Sequence, residues 1–224
     1  MSKQTDYEQL AFNQSSIDLV DLYASDKEKM LWLYYPKKAD NCDQTINYLI
    51  AKHHIDYGIV KEFIDADKLW QTKTNNTMEF PITTERDDLV AVEAIRWNNT
   101  GVFKTKESFG YGFTYQVGSA INWLIFVKSA IELMCLYQLK KSTLVQRGCL
   151  LVSIGGASST VIARYKSLYP HTPWCVAFNE KAGDAKNITN YFSDVKWRSP
   201  DKPYKKWQDM LWDKTKALYE FNLK

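Results

Sequence analysis

Polar and charged residues directly follow three apolar segments of the chain, where they are placed to carry out chemistry. Lys128 and Ser129 follow WLIFV, residues 155–159 (GGASS) follow CLLVSI, and residues 179–184 (NEKAGD) follow WCVAF. If these segments are neighbouring parallel strands, the three junctions line one crevice, because ligands of open parallel sheets bind beyond the carboxyl ends of the strands. The residue types allow anion binding at Lys128 and cation binding at carboxylates.

The carboxylates of the third junction are the candidate metal ligands. Glu180 and Asp184 lie near the end of WCVAF, and divalent metals in proteins bind oxygen ligands. Two-metal phosphoryl transfer needs several converging carboxylates, and a cationic Lys128 across the crevice would repel a metal ion. We therefore expect no cofactor, with weak Mg²⁺ binding at Glu180 and Asp184 as the alternative left open.

The first two junctions have plainer structural interpretations. Ser129 and Glu132 have the spacing of a capping box, which predicts that Glu132 lies in the first turn of a helix. Gly155 and Gly156 allow a tight turn, and the helix that follows could offer free N–H groups to an anion near Ser158. A plain strand-to-helix turn is favoured here, because the GxxxxGK[ST] pattern of a phosphate-binding loop is absent.

The spacing of apolar residues predicts the elements that position these junctions. Residues 5–33 and the stretches that begin near Cys42 and Gly58 have helical spacing. Residues 77–117 contain short apolar runs between polar turns, which predicts an antiparallel β layer. From Asn122 onward strand and helix patterns alternate, which is typical of a parallel α/β sheet with crossover helices.

The predicted fold class is therefore α/β, with a parallel sheet in the C-terminal half preceded by an α+β region. We expect three parts, which are residues 1–117, residues 118–200, and a basic helical segment over residues 201–224 that packs on the second part. From residue 196 onward the chain has eight Lys or Arg against four Asp or Glu, whereas its net charge is only +3. This local excess suits phosphate contacts or a solvated helix face.

The composition is that of a globular protein that works inside the cell. The 224 residues are 45% hydrophobic and 25% charged, and no apolar run approaches the length of a bilayer span. The polar start of the chain does not fit a secretory signal peptide, so a cytoplasmic location is expected. The four cysteines form no C-x-x-C pair and have no histidine at ligand spacing, which predicts reduced, buried thiols and no zinc site.

A series of motifs between about residues 44 and 213 resembles those of Toprim-containing, primase-like proteins carried by plasmids, conjugative elements and phages of low-GC Gram-positive bacteria. The motifs are TINYLIAKHHI at 45–55, the β-layer arginine at Arg96, FVKSAIELMCLY at 126–137, SIGGASS at 153–159, WCVAFNEKAG at 174–183 and KKWQDML at 205–211. The resemblance implies a Toprim fold with its catalytic crevice at the strand ends.

The resemblance also implies that this crevice has lost catalytic groups. The general acid/base glutamate of the family falls on Lys128 and its following aspartate on Glu132, while the metal-binding aspartates fall on Phe178 and Glu180. A lysine removes the proton-transfer group and a phenylalanine removes a metal ligand. The former catalytic crevice comprises Lys128, Glu132, Gly155, Gly156, Phe178, Asn179, Glu180, Gly183 and Asp184.

Two functional hypotheses follow, and catalysis is the weaker third. The first is a nucleic-acid-binding accessory protein of a mobile element, with no catalytic residues. Its predicted contacts are Arg96, Lys128, Ser158, Lys181, Lys205 and Lys206. The second is a phage- or plasmid-encoded interaction module that inhibits a host defence protein. The third is residual Mg²⁺-dependent phosphoryl transfer through Glu132, Glu180 and Asp184.

Overall fold

The computed structural model describes residues 37–73, 77–96, 99–104, 110–155, 159–178, 188, 192 and 195–222. Helices in this part are α1 (Asp43–His53), α2 (Tyr57–Asp65), α3 (Ala130–Arg147), α4 (Ser159–Leu168) and α5 (Trp207–Asn222). Strands are β1 (Trp70–Gln71), β2 (Thr77–Thr83), β3 (Leu89–Arg96), β4 (Asn99–Lys104), β5 (Phe113–Val117), β6 (Trp123–Val127), β7 (Cys149–Ser153), β8 (Trp174–Ala177) and β9 (Trp197–Arg198). The predicted helical stretch over residues 5–33 lies outside the described residues.

The first two helices, α1 and α2, fall on the two stretches with helical spacing that begin near Cys42 and Gly58, and they form a hairpin. Helix α1 ends where His54 takes a left-handed backbone conformation with φ of 56° and its N–H bonds to the carbonyl of Ile50. The Asp56 N–H before α2 donates to the side chain of Gln138 on α3 at 2.8 Å. The helical stretch that begins near Gly58 is short, because α2 ends at Asp65 and the chain enters β1 at Trp70.

The first sheet is antiparallel and has the strand order β1-β2-β3-β4. Its two faces are both covered. Met78, Phe80 and Ile82 alternate on the inner face of β2 and join the main core, whereas Val92 and Ala94 of β3 belong to a separate, smaller cluster on the outer face. This double burial explains why the strands have long apolar runs.

The second sheet has the order β5-β7-β6-β8-β9 and is parallel except at one edge. Strand β5, which the sequence predicts in the antiparallel layer, instead pairs with β7 in antiparallel register, with Phe113 opposite Ser153. The alternation within β5 does not specify its partner strand, which accounts for the difference. Gly112 permits this approach, because a Cβ there would lie 2.0 Å from the Ser153 carbonyl oxygen.

Helices cover both faces of the second sheet. Helices α3 and α5 pack against each other, and α3 lies on β7. On the opposite face, the ring of Tyr165 from α4 lies 6.3 Å from that of Phe126 on β6. The expected α/β fold with a parallel sheet in the C-terminal half is confirmed, and strand-to-helix connections place their polar junctions at the carboxyl edge.

The cysteines are unpaired thiols, and three of them are buried, as the sequence predicts. Burial raises the pKa of the Cys135 and Cys175 thiols, in the latter case to about 11, so neither is a ready nucleophile near neutral pH. Within the part of the chain that the structure describes, no helix combines the length and apolar character needed to cross a bilayer.

Candidate nucleic-acid interface

The carboxyl end of β6 leads directly into the first turn of α3. Ser129 is the N-cap residue, and its hydroxyl oxygen accepts a hydrogen bond from the Glu132 N–H at 3.3 Å, which confirms the predicted helix start. Lys128 lies immediately before this cap and is partly exposed, whereas Glu132 is buried. The junction therefore presents a lysine beside the positive end of a helix dipole.

The carboxyl end of β8 is apolar. Phe178 follows the last residue of β8, is only 2% exposed, and packs in the main core with its ring centroid 6.0 Å from that of Trp197. A buried phenyl ring supplies no oxygen ligand to a metal ion. The resemblance implies carboxylates at the ends of β6 and β8. The structure has the cationic Lys128 after β6 and the apolar Phe178 after β8.

The turn after β7 is described as far as Gly155. Gly155 has a φ of 54°, which is the left-handed conformation that glycine adopts without strain, and its N–H donates to the Ser153 hydroxyl at 3.3 Å. The remaining predicted residues of this edge lie outside the described residues. They are Gly156, Ser158, Asn179, Glu180, Lys181, Gly183 and Asp184.

A buried carboxylate that the sequence analysis did not single out lies behind this edge. Glu93 of β3 is fully buried on the inner face of the first sheet. Its Oε1 accepts from the Ala130 N–H at 2.7 Å, and its Oε2 accepts from the Ser153 hydroxyl at 2.5 Å. Glu93 therefore ties the first sheet to the start of α3 and the end of β7.

A sequence signal for Glu93 does exist. Strand β3 alternates between its two faces, and Glu93 occupies an inward position between Ala91 and Ile95 of the core. A charged residue at an inward position of an otherwise apolar strand requires a hydrogen-bonded partner, because burying an unpaired charge is costly.

Arg96 lies apart from this carboxylate. The alternation of β3 places Arg96 on the outer face, together with Val92 and Ala94, and opposite Thr77 of β2. Arg96 is partly exposed. The structure thus places Arg96 and Lys128 on different sides of the first sheet rather than in one cluster.

The basic pair at the start of α5 lies close to the carboxyl end of β8. The buried indole of Trp207 donates its Nε1–H to the carbonyl of Ala177, the last residue of β8, at 3.1 Å. Lys205 and Lys206 directly precede Trp207 and are both exposed. The tryptophan is therefore a packing anchor, and it positions two lysines next to a strand end.

The described part of the edge favours anions over cations. Lys128, Lys205 and Lys206 supply positive charge, whereas the Ala130 N–H at the start of α3 already donates to the carboxylate of Glu93. The two carboxylates behind them, Glu93 and Glu132, are buried. Among the described residues, no group of three or more His, Cys, Asp or Glu side chains is arranged to hold a metal ion.

Comparison with known proteins gives similarity at the level of the fold. No protein-family model matches the sequence, and no curated protein matches it. The primase fragment of the bacteriophage T7 primase-helicase is similar in structure, with a TM-score of 0.55 and 11% identity over 78% of this chain and 73% of that one. The RNA polymerase domain of Mycobacterium tuberculosis primase DnaG gives a TM-score of 0.52 and 12% identity over 81% of this chain and 76% of that one. The chain therefore has a primase-like Toprim fold, as the motifs predict.

Proposed function

We propose that this protein binds nucleic acid as an accessory factor, on a primase-like Toprim fold whose crevice has been converted from metal binding to phosphate binding. The observation that carries the proposal is the positive charge at the carboxyl edge of the second sheet. Lys128 follows β6, and Lys205 and Lys206 are positioned beside the end of β8 by Trp207. A nucleic-acid backbone presents the regularly spaced anions that such an edge attracts.

The fold supports this proposal from a second direction. Both similar structures are parts of primases, and one is named as an RNA polymerase domain. With Lys128 and Phe178 at its strand ends, this fold has a cation at one of these positions and an apolar ring at the other, and neither supplies an oxygen ligand for a metal ion. Binding without catalysis fits both features, and the resemblance of the motifs to plasmid and phage proteins leads us to propose that the protein belongs to a mobile genetic element.

Fluorescence anisotropy with labelled single-stranded and double-stranded oligonucleotides tests the proposal. We expect binding at low salt that weakens steeply between about 50 and 200 mM salt, because phosphate contacts release counterions. The variant Lys128→Gln and the double variant Lys205→Gln/Lys206→Gln should each weaken binding and reduce the salt slope by roughly one for each lysine removed.

A matched control removes one positive charge elsewhere. Arg86 is exposed on the turn between β2 and β3, and Arg86→Gln should leave the affinity and its salt slope unchanged. The proposal fails if the protein does not bind either oligonucleotide at low salt. It also fails if Arg86→Gln weakens binding as much as Lys128→Gln, since that result would indicate non-specific charge attraction.

A second candidate function, protein interaction, is favoured by the contact between His54 and Trp212 and by the nearby exposed side chain of Tyr57 in the same helix hairpin. The imidazole of His54 lies 3.7 Å from the indole of Trp212, centroid to centroid, and Tyr57 and Trp212 are 57% and 45% exposed. Exposed aromatic clusters are enriched at protein interfaces. A host defence protein is the proposed partner in this case, and the chain would inhibit it.

A pull-down from host lysate separates this candidate from the first. Retention of one protein in stoichiometric amount without nucleic acid, lost in Trp212→Ala, would favour the interaction module. Retention of nucleic acid that nuclease treatment removes would favour the first proposal. Residual phosphoryl transfer is tested by titration calorimetry with Mg²⁺ and Mn²⁺, where heat of binding that disappears in Glu180→Ala would support a metal site.

A further inference from the structure

A pocket of about 290 Å³ lies on the α3 face of the second sheet. The apolar part of its lining, called the floor here, is formed by strands β6, β7 and β8 and by helices α3 and α5. The floor residues are Ile125, Leu136, Leu144, Cys149, Cys175, Ala177 and Trp207. Trp123, the first residue of β6, and Arg147, the last residue of α3, also line the pocket, so it extends toward the amino ends of the strands.

The wall of the pocket is basic. Lys140, Arg147 and Arg198 line it, and Asp201 supplies the one carboxylate among the described residues of the lining. Asp201 pairs with Lys140, with Nζ and Oδ2 3.5 Å apart, so that these two charges offset one another. In the part of the chain that the structure describes, neither Arg147 nor Arg198 forms an ion pair with a carboxylate. Two exposed guanidinium groups thus leave the pocket with an excess of positive charge.

The two thiols on the floor remain neutral. Burial raises the pKa of Cys149, and it raises that of Cys175 to about 11, although the nearby Arg147 opposes the change in both cases. The floor therefore offers no anion to balance the guanidinium groups. It also offers few hydrogen-bond partners, because thiols are weak donors and the rest of the floor is aliphatic or aromatic.

These features together define the ligand. An apolar floor favours a hydrocarbon body, while the two guanidinium groups that line the pocket favour a carboxylate or phosphate head. A nucleobase is a competing body, because Thr143 and Ser199 also line the pocket and offer hydrogen-bond partners to its polar edge. At roughly 20–30 Å³ for each non-hydrogen atom, the volume admits a body of about ten to fifteen atoms.

We propose that this pocket is a binding site for a small amphiphilic anion, with an apolar body on the floor and a carboxylate or phosphate head held by Arg147 and Arg198. The floor reaches the carboxyl edge at Ala177, and Arg198 is the last residue of β9, but the binding proposed here does not depend on nucleic-acid binding. Two of the helices that line the pocket also reach that edge. Helix α3 begins there, and Trp207 of α5 donates a hydrogen bond to the end of β8.

Isothermal titration calorimetry with decyl phosphate, decanoate and decanol tests the proposal on the full chain, below the micelle concentration of each probe. We expect both anions to bind at least tenfold more tightly than the uncharged alcohol. Arg147→Gln and Arg198→Gln should each weaken binding of the anions about tenfold and leave decanol unaffected. Arg86→Gln is the control and should change nothing.

A second pair of variants tests the location. Thr143 is exposed on α3 and lines the pocket, so Thr143→Trp should obstruct it and abolish binding. Gln146 is exposed on the same helix, and Gln146→Trp should bind as the parent does, with both variants unfolding at the parent temperature.

Several results would overturn the proposal. Equal affinity for decanol and decyl phosphate would show that the guanidinium groups take no part. Tighter binding of adenosine monophosphate, added as a fourth probe, would assign the pocket to nucleotides. Absence of heat with every probe at millimolar concentration, or binding to anionic phospholipid vesicles without binding to decanoate, would also refute it.

Discussion

Each face of the first sheet buries a glutamate, but the two glutamates differ in the number and kind of hydrogen-bond donors around the carboxylate. On the inner face, the two carboxylate oxygens of Glu93 accept from a helix N–H and from a serine hydroxyl, at 2.7 and 2.5 Å. On the outer face, Glu79 is 2% exposed and accepts from the indole N–H of Trp70 at 2.8 Å. Burial raises the pKa of Glu79 to about 8, and this one hydrogen bond only partly opposes the rise.

The difference shows how a buried carboxylate can join two layers. Desolvation disfavours the charged form, and donors or a helix N-terminus compensate for it. Glu93 has both kinds of compensation because three elements meet at it, whereas Glu79 has a single donor from a neighbouring strand. The inner glutamate is therefore suited to connecting the two sheets, and the outer one makes stability depend on pH.

The largest expected effect is that of removing the inner carboxylate. Glu93→Ala leaves the Ala130 N–H and the Ser153 hydroxyl without this acceptor in the core and creates a cavity, which should lower the free energy of unfolding by about 3–5 kcal/mol. Urea denaturation followed by circular dichroism measures the change. Glu93→Gln keeps one carbonyl acceptor and should cost less, and a loss below about 1 kcal/mol in Glu93→Ala would contradict the proposed connecting role.

The outer glutamate should produce a pH effect of smaller size. Because its folded pKa of about 8 lies above the ordinary 4.5, the folded protein holds the proton while the unfolded chain releases it. The stabilisation is complete below pH 4.5 and is lost as the pH rises through 8, and between about pH 5 and 7 the loss is about 2–3 kcal/mol. Glu79→Gln should remove this dependence, as measured by urea denaturation at several pH values, and an unchanged pH slope would count against it.

Removing one of the two hydrogen-bond donors to Glu93 leaves it with a single donor, as Glu79 has. Ser153→Ala deletes the hydroxyl that donates to Oε2 of Glu93 and should lower stability by about 1–2 kcal/mol. A double-mutant cycle with Glu93→Gln isolates the coupling between the two side chains. Additive effects in that cycle would mean that the 2.5 Å contact contributes little.

The smallest effect should come from the donor on the outer face. The Trp70 N–H lowers the pKa of Glu79, so Trp70→Phe should raise that pKa further and extend the loss of stability above pH 8. The added change should be about 0.5–1 kcal/mol. Combining Trp70→Phe with Glu79→Gln serves as the control, since the extension of the pH range should then disappear.

The sequence predicts much of the fold because the apolar periodicity changes where the architecture changes. Alternating strands and helices after Asn122 predict the parallel sheet, and Ser129 three residues before Glu132 predicts the start of α3. The partner of β5 could not be predicted, because pairing across a sheet depends on contacts distant in sequence, such as the close approach of Gly112 to Ser153.

The positions of candidate-site residues can be predicted where they depend on local sequence. They cannot be predicted where they depend on contacts between residues distant in the chain. Lys128 and Phe178 lie at strand ends that the apolar runs themselves mark. The strand alternation marks Glu93 as an inward carboxylate, but its partners cannot be predicted, because they are 37 and 60 residues away and only the packed layers bring them together. The role of Trp207 as an anchor likewise depends on a backbone carbonyl 30 residues earlier.

The hydrogen bond from Trp207 to Ala177 also gives the molecule an internal optical reporter. A buried, hydrogen-bonded indole emits at shorter wavelength than a hydrated one, and this indole is 3% exposed at the point where α5 meets the second sheet. Detachment of α5 would hydrate that ring and shift its emission to the red. The difference between the spectra of the parent and Trp207→Phe therefore follows the attachment of a single helix, even in a chain with eight tryptophans.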